Sequence, residues 1–258
     1  MNSTQLFQDI SNKEVHSTFR IIFPLSARML SRLSAIRIHS AGIQREKYLA
    51  TIEKGLMVDK SVEVKTYPSI EHGALLSVTS IVLHRTDSST AASVLNAYKS
   101  GQKTGAHFLI EKDGKIYQTA SLERICWHVG ILQPRCVNES TCDPTELKNI
   151  NALLHQKGLS FSKRAKNVSS HENTKAYPLR YPANSDSVGI EVVGRFLPST
   201  KDYEAPTQSQ LFQTKWLTQQ LVDHYKLKLL SDVYSHGAIA RKEATEGAQL
   251  LRYIFTGA

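Results

Sequence analysis

Apolar positions along the chain change their period near residue 62. Before that point, residues 1–60 are polar and basic, with only weak helical periodicity in Ser26–Arg37, and they read as an appendage that packs on the main body or touches a partner. From Val62 onward, strand-like and helix-like patterns alternate, which predicts an α/β domain over residues 61–258. Val62 to Tyr67 alternates with period two, and Ile81 to His84 is a short continuous apolar run. Ala106–Ile110 and Lys115–Gln118 flank Asp113-Gly114, a pairing that predicts a hairpin.

Helices are marked by their caps. Ser88-Ser89-Thr90 precede a run through Ala91, Val94, Leu95 and Tyr98 that ends near Gly101. Asp143-Pro144 opens a helix through Leu147, Ile150, Leu153 and Leu154, stopped by Gly158. Thr207 caps a longer helix whose apolar face uses Leu211, Phe212, Trp216, Leu217, Leu221, Val222 and Tyr225. Between Lys157 and Asn184 little periodicity remains, and the stretch reads as a long surface loop.

His84, Glu191 and His236 each end or closely follow a β-like apolar run (Ser80–Leu83, Val188–Ile190 and Asp232–Ser235), which would gather them at one rim of a sheet. Imidazoles suit zinc, a free carboxylate beside them can act as general base, and Glu246, ten residues past His236, offers a third ligand. This arrangement reads as a zinc hydrolase. By contrast, His107 lies in a strand with Phe108 and Ile110 and reads as a hydrogen-bonded core residue. Thr86 and Asp87 would sit at the mouth, where Asp87 could orient a histidine.

Composition narrows the setting. The formal net charge of +9 favours polyanionic partners such as nucleic acid, anionic lipid surfaces or acidic cell-wall polymers, and charge alone does not choose among them. Lysine and arginine are scattered rather than clustered, which argues against nucleic acid as a partner. No apolar run approaches the roughly 20 residues of a membrane span, and Ile21–Leu25 is too short for a signal-peptide core, so the expectation is synthesis in the cytoplasm without a signal peptide. Of three cysteines, Cys136 and Cys142 are spaced for a small disulfide loop or for two free thiols, and Cys126 is expected to be buried beside Trp127.

Five segments occur together: Ile81-Val82-Leu83-His84-Arg85-Thr86-Asp87, Gly105 to Gln118, Cys126-Trp127-His128-Val129-Gly130, Asn184 to Gly194 with its Gly189-Ile190-Glu191, and Tyr234-Ser235-His236. In this order they resemble the type 2 N-acetylmuramoyl-L-alanine amidases, which are similar in fold to the peptidoglycan recognition proteins. The likeness spans about residues 62–255 and does not reach the first sixty.

The resemblance implies a central mixed β-sheet flanked by helices. It implies zinc (Zn2+) held by His84, His236 and Glu246, with Glu in place of the family's Asp or Cys and Glu243 as the alternative. Glu191 would be the general base. Where the family commonly places a lysine two residues before the third ligand, this chain has Ala244, so Lys242, Arg241 or His128 would have to stabilise the oxyanion. The family's tyrosine before the hairpin histidine is here Ala106. The implied reaction is hydrolysis of the amide between the lactyl group of N-acetylmuramic acid and L-alanine by zinc-activated water.

Segments from Pro68, from Arg180 and around Lys242, Thr245 and Glu246 further resemble amidases of the type VI secretion setting. That likeness implies an antibacterial cell-wall effector acting in the periplasm of a target cell, with a cognate immunity protein, a secretion-apparatus component as partner, and a disulfide formed on arrival. Alternatives are a cytosolic amidase that recycles muropeptides, an amidase released with a phage lysis programme, and a peptidoglycan-binding module that has lost catalysis.

Overall fold

A computed structural model describes residues 49–257 of the chain. Ser26–Arg37 and the rest of residues 1–48 lie outside the described residues. In chain order the elements are β1 (Thr51–Glu53), β2 (Leu56–Val58), β3 (Val62–Val64), β4 (Glu71–Ala74), β5 (Ser80–Arg85), α1 (Ala91–Lys99), β6 (Phe108–Ile110), β7 (Ile116–Gln118), β8 (Arg124–Cys126) and α2 (Arg135–Asn138). There follow α3 (Pro144–Leu154), α4 (Phe161–Glu172), β9 (Ser187–Val192), β10 (Phe196–Leu197), β11 (Asp202–Tyr203), α5 (Gln208–Tyr225), β12 (Val233–Ser235), α6 (His236–Ile239) and α7 (Ala248–Thr256).

The main sheet has six strands in the order β12-β5-β9-β6-β7-β3. β12, β5, β9 and β6 run parallel, β6 and β7 form the antiparallel hairpin, and β7 pairs in parallel with β3. The sheet is therefore mixed, as the family resemblance implies. Asp113-Gly114 makes the hairpin turn, with Gly114 at φ +92°, where a side chain would be strained.

Period-two alternation divides the strands between two faces. Ile81 and Leu83 of β5, Val188, Ile190 and Val192 of β9, and Phe108 and Ile110 of β6 pack against Leu217 and Leu221 of α5 and Leu250 and Ile254 of α7. On the other face, Leu109 packs with Ala91, Leu95 and Tyr98, and Val82 with Tyr181 and Ile239. His84 shares the parity of Val82, and Glu191 that of Gly189, so both point away from the α5/α7 core. Among the described residues, no helix is long and apolar enough to cross a membrane.

The caps act as their residue types predict. Thr207 and Gln210 form a reciprocal capping box on α5, and Asp143 accepts from the backbone N–H groups of Thr145 and Glu146 on α3. Phe212, assigned to the apolar face of α5, is exposed; Gln210, Thr214 and Thr218 are buried there instead.

Two expectations need correction. Residues 157–184 are not one long loop, because α4 occupies 161–172 with Ser160 as N-cap. Its inward face consists of Ala165, Val168, Ser169 and Glu172, too small and polar to register as an apolar stripe. Residues 49–60, read as part of the appendage, pack on the domain: Ala50 and Met57 join the core, and their N–H groups donate to Gln220 and Gln118.

The segment leading into β9 is held by a buried ion pair. Arg180 Nη2 lies 2.7 Å from Asp186 Oδ2, and Asp186 Oδ1 accepts from Ala183 N at 2.8 Å. Removing the carboxylate strands a buried guanidinium, so Asp186→Ala is expected to lower unfolding free energy by about 3–5 kcal/mol in urea titration. A change below about 1 kcal/mol, the scale of an exposed pair, would contradict this reading.

Candidate active site

Parallel register sets the site. His84 is directly opposite Glu191 across β5 and β9, and Ser235 pairs with Leu83, so His236 emerges one step beyond β12 at the same rim. The chain then turns through α6 and returns with Glu246, whose carbonyl accepts from Gly237 N at 3.0 Å. Three side-chain atoms converge. His84 Nδ1 and His236 Nδ1 are 2.9 Å apart, and Glu246 Oε1 lies 2.7 Å from His236 Nδ1 and 3.5 Å from His84 Nδ1. All three residues are buried.

Four-coordinate zinc with bonds of about 2.0–2.2 Å keeps its ligands roughly 3.3–3.5 Å apart. One observed spacing, 3.5 Å, matches that range and the other two, 2.9 and 2.7 Å, are shorter, so a bound ion would spread the ligands slightly; the donor set of two imidazoles and one carboxylate suits the metal. These residues can hold a divalent cation. A second acidic group, Glu146, His171 and Glu172, is already bridged by Lys175, whose ammonium contacts both carboxylates.

Electrostatics separate the two carboxylates at the rim. Burial, reinforced by the negative Glu246, raises the Glu191 carboxyl to about 8, while Lys242 and Arg85 oppose the shift. Its Oε2 is buried without a hydrogen-bond partner. Burial also opposes ionisation of Glu246, but the imidazoles of His236 and His84 against it outweigh that effect and hold its carboxyl well below the usual range. Burial, with the neighbouring His236, lowers His84 to about 4, so its imidazole is neutral at physiological pH.

The site opens into a groove of about 750 Å³. Thr86 and Asp87, Trp127, Tyr203, and the loop bearing Arg241, Lys242 and Glu243 line it. Lys242 acts electrostatically on both His84 and Glu191, whereas Arg241 places its guanidinium over the Phe161 ring at 4.4 Å. Glu243, the alternative ligand, lines the groove outside the converging trio.

Several expected roles move. His128 was a candidate oxyanion donor, but both its ring nitrogens are engaged: Nδ1 lies 3.0 Å from His84 Nε2, and Nε2 lies 3.4 Å from Ser187 O and 3.3 Å from Ser187 Oγ. Asp87 accepts from Phe196 N at 2.8 Å, so its hydrogen bond goes to backbone rather than to a histidine. His107 is a core residue as expected, bonded to Arg124 O and accepting from Gly189 N.

Sequence reasoning missed Tyr203, whose hydroxyl lies 3.5 Å from Glu246 Oε2, and Asn184, which accepts from the N–H groups of His128 and Val129. Tyr203 carries no local signal, since it approaches only through the β10/β11 hairpin. Asn184 was visible as part of a motif, without a role. Cys136 and Cys142 are bonded, and Cys126 is buried.

The family model described as N-acetylmuramoyl-L-alanine amidase matches residues 74–248. The chain belongs to this family, whose fold is the mixed sheet with flanking helices described above. Among solved structures, a selenomethionine derivative of AmpD is 17% identical with a TM-score of 0.46, covering 79% of this chain and 98% of that one. PlyL is 12% identical with a TM-score of 0.44, covering 76% and 97%. AmpDh3 from Pseudomonas aeruginosa is 22% identical with a TM-score of 0.42, covering 70% and 61%. No curated protein matches the sequence.

The raised Glu191 sets a pH dependence for the metal-free fold. Its folded pKa of about 8 exceeds the ordinary value of 4.5, so the folded state holds this proton more tightly than the unfolded chain. That contribution is complete below about 4.5 and is lost as pH rises through 8. In the metal-free protein, Glu191→Gln is therefore expected to be more stable than wild type at pH 9, by on the order of a few kcal/mol, with the gap closing toward pH 4.5. A gap independent of pH would contradict the shift.

Proposed function

We propose that this chain is a zinc-dependent N-acetylmuramoyl-L-alanine amidase that cleaves the amide between the lactyl group of N-acetylmuramic acid and L-alanine. The observation that carries the reading is the convergence of His84 Nδ1, His236 Nδ1 and Glu246 Oε1 beside a separate, desolvated carboxyl, that of Glu191. Membership of the amidase family supports the substrate class.

His84, His236 and Glu246 would hold the ion. Zinc supplies a Lewis acid that polarises a carbonyl and lowers the pKa of a water molecule. Glu191 takes the proton from the attacking water and delivers it to the departing alanine nitrogen, a role that favours a carboxyl poised near neutral pH. Lys242 presents the cation that faces the developing oxyanion, in place of the lysine missing at Ala244. The groove beside Trp127 and Thr86 accommodates the glycan and stem peptide.

We further read the enzyme as acting on peptidoglycan outside the reducing cytosol, as an antibacterial effector delivered to a rival's periplasm and blocked by an immunity protein. The bonded Cys136–Cys142 pair supports an oxidising compartment. Directed to the periplasm of a test bacterium, the wild type is expected to lyse cells while Glu191→Gln does not. Lysis from cytosolic expression would contradict this setting.

Substitutions separate the roles. With muropeptide products followed by mass spectrometry, Glu191→Gln is expected to keep its zinc and lose about 10²–10⁴ in kcat. His84→Ala and Glu246→Ala are expected to lose the metal itself. Zinc-loaded wild type that binds peptidoglycan without releasing stem peptide would instead identify a binding module.

A further inference from the structure

The outer nitrogens of the two imidazoles both end on one tripeptide. His236 Nε2 lies 2.7 Å from Val129 O, and a carbonyl only accepts, so this nitrogen carries the proton. His84 Nε2 faces His128 Nδ1 at 3.0 Å. At the far side of the His128 ring, Nε2 meets Ser187 O and Ser187 Oγ, and that hydroxyl spends its own proton on Ala183 O at 2.6 Å. His128 Nε2 is therefore the donor and Nδ1 the acceptor, which places the proton of His84 on Nε2. Both outer nitrogens are thus paired as donors from the two ends of the chain of bonds, and both Nδ1 atoms lie on the Glu246 side, 2.7 Å (His236) and 3.5 Å (His84) from its Oε1.

The tripeptide is itself fixed. Asn184 Oδ1 accepts from His128 N at 2.9 Å and Val129 N at 2.8 Å. Under the His128 ring lies Gly189, where an added Cβ would sit 2.8 Å from Nδ1 and 2.9 Å from Cγ. Only glycine leaves room for the ring over β9.

We infer that Trp127-His128-Val129, pinned by Asn184 and seated on Gly189, is a clamp that presets the tautomer of both histidines, making His128 a positioning residue for His84 rather than a group that touches substrate. The inference rests on the proposed metal role of His84 and His236. An imidazole held with Nε2–H needs no tautomer change before ligation, and a partner on the outer nitrogen raises ligand basicity.

The test combines zinc affinity by chelator competition, kcat at saturating zinc, and nitrogen–proton correlation spectra of the imidazoles. His128→Leu is expected to weaken zinc about 10–100-fold, the usual effect of losing such a partner, and to remove the slowly exchanging His84 Nε2–H signal. His128→Asn, which restores an acceptor at the Nδ1 position, is expected to keep affinity within a few-fold and to retain that signal. Unchanged zinc affinity in His128→Leu with loss of kcat would assign His128 to the oxyanion and overturn the clamp. Equal weakening in both variants would also overturn it. Wild type that takes up no zinc would refute the proposed function instead, and the Nε2–H signals of the metal-free protein would still decide the clamp.

Discussion

Two imidazole nitrogens and a carboxylate oxygen are brought within 2.7–3.5 Å of one another inside the protein, and most local features of the rim serve that approach. Buried polar groups are costly unless paired, and here the pairing is closed on both sides. Outward, the rings bond to Val129 O and His128. Inward, they face Glu246, an arrangement that could hold a divalent cation. Parallel pairing of β12, β5 and β9 supplies the alignment, and the short α6 turn followed by the 240–247 loop returns the acid.

Two carboxylates share this rim and are driven in opposite directions. Glu246 is ionised by the histidines against it, whereas Glu191 is desolvated, lacks a partner for Oε2, and feels the charge of Glu246. One thus suits ligation and the other proton transfer, a division of labour set by environment rather than residue type. Lys242 tempers Glu191 from the groove's mouth without burying its own charge.

Much of this was legible in the sequence because it follows from period and register. Apolar runs ending in His84, Glu191 and His236 predict a shared rim, and parallel pairing places them there. Asp113-Gly114 and Thr207 announce their turn and cap by local chemistry. What escaped depends on tertiary contact. α4 hides because its inward face is Ala165, Val168, Ser169 and Glu172, and Tyr203 reaches Glu246 only through a hairpin with no strong apolar pattern. The contacts of His128 escaped for a related reason. A histidine in a motif looks available for chemistry, and only the positions of His84 and Ser187 reveal that both its nitrogens are taken.

The central claim is that His84, His236 and Glu246 grip one divalent cation. Anomalous diffraction at the zinc edge, from crystals grown without chelator, tests it most directly. The account predicts a single strong peak within about 2.0–2.2 Å of His84 Nδ1, His236 Nδ1 and a Glu246 carboxylate oxygen. A featureless map at that rim, or a peak bound by Glu243 or by other side chains, would contradict it.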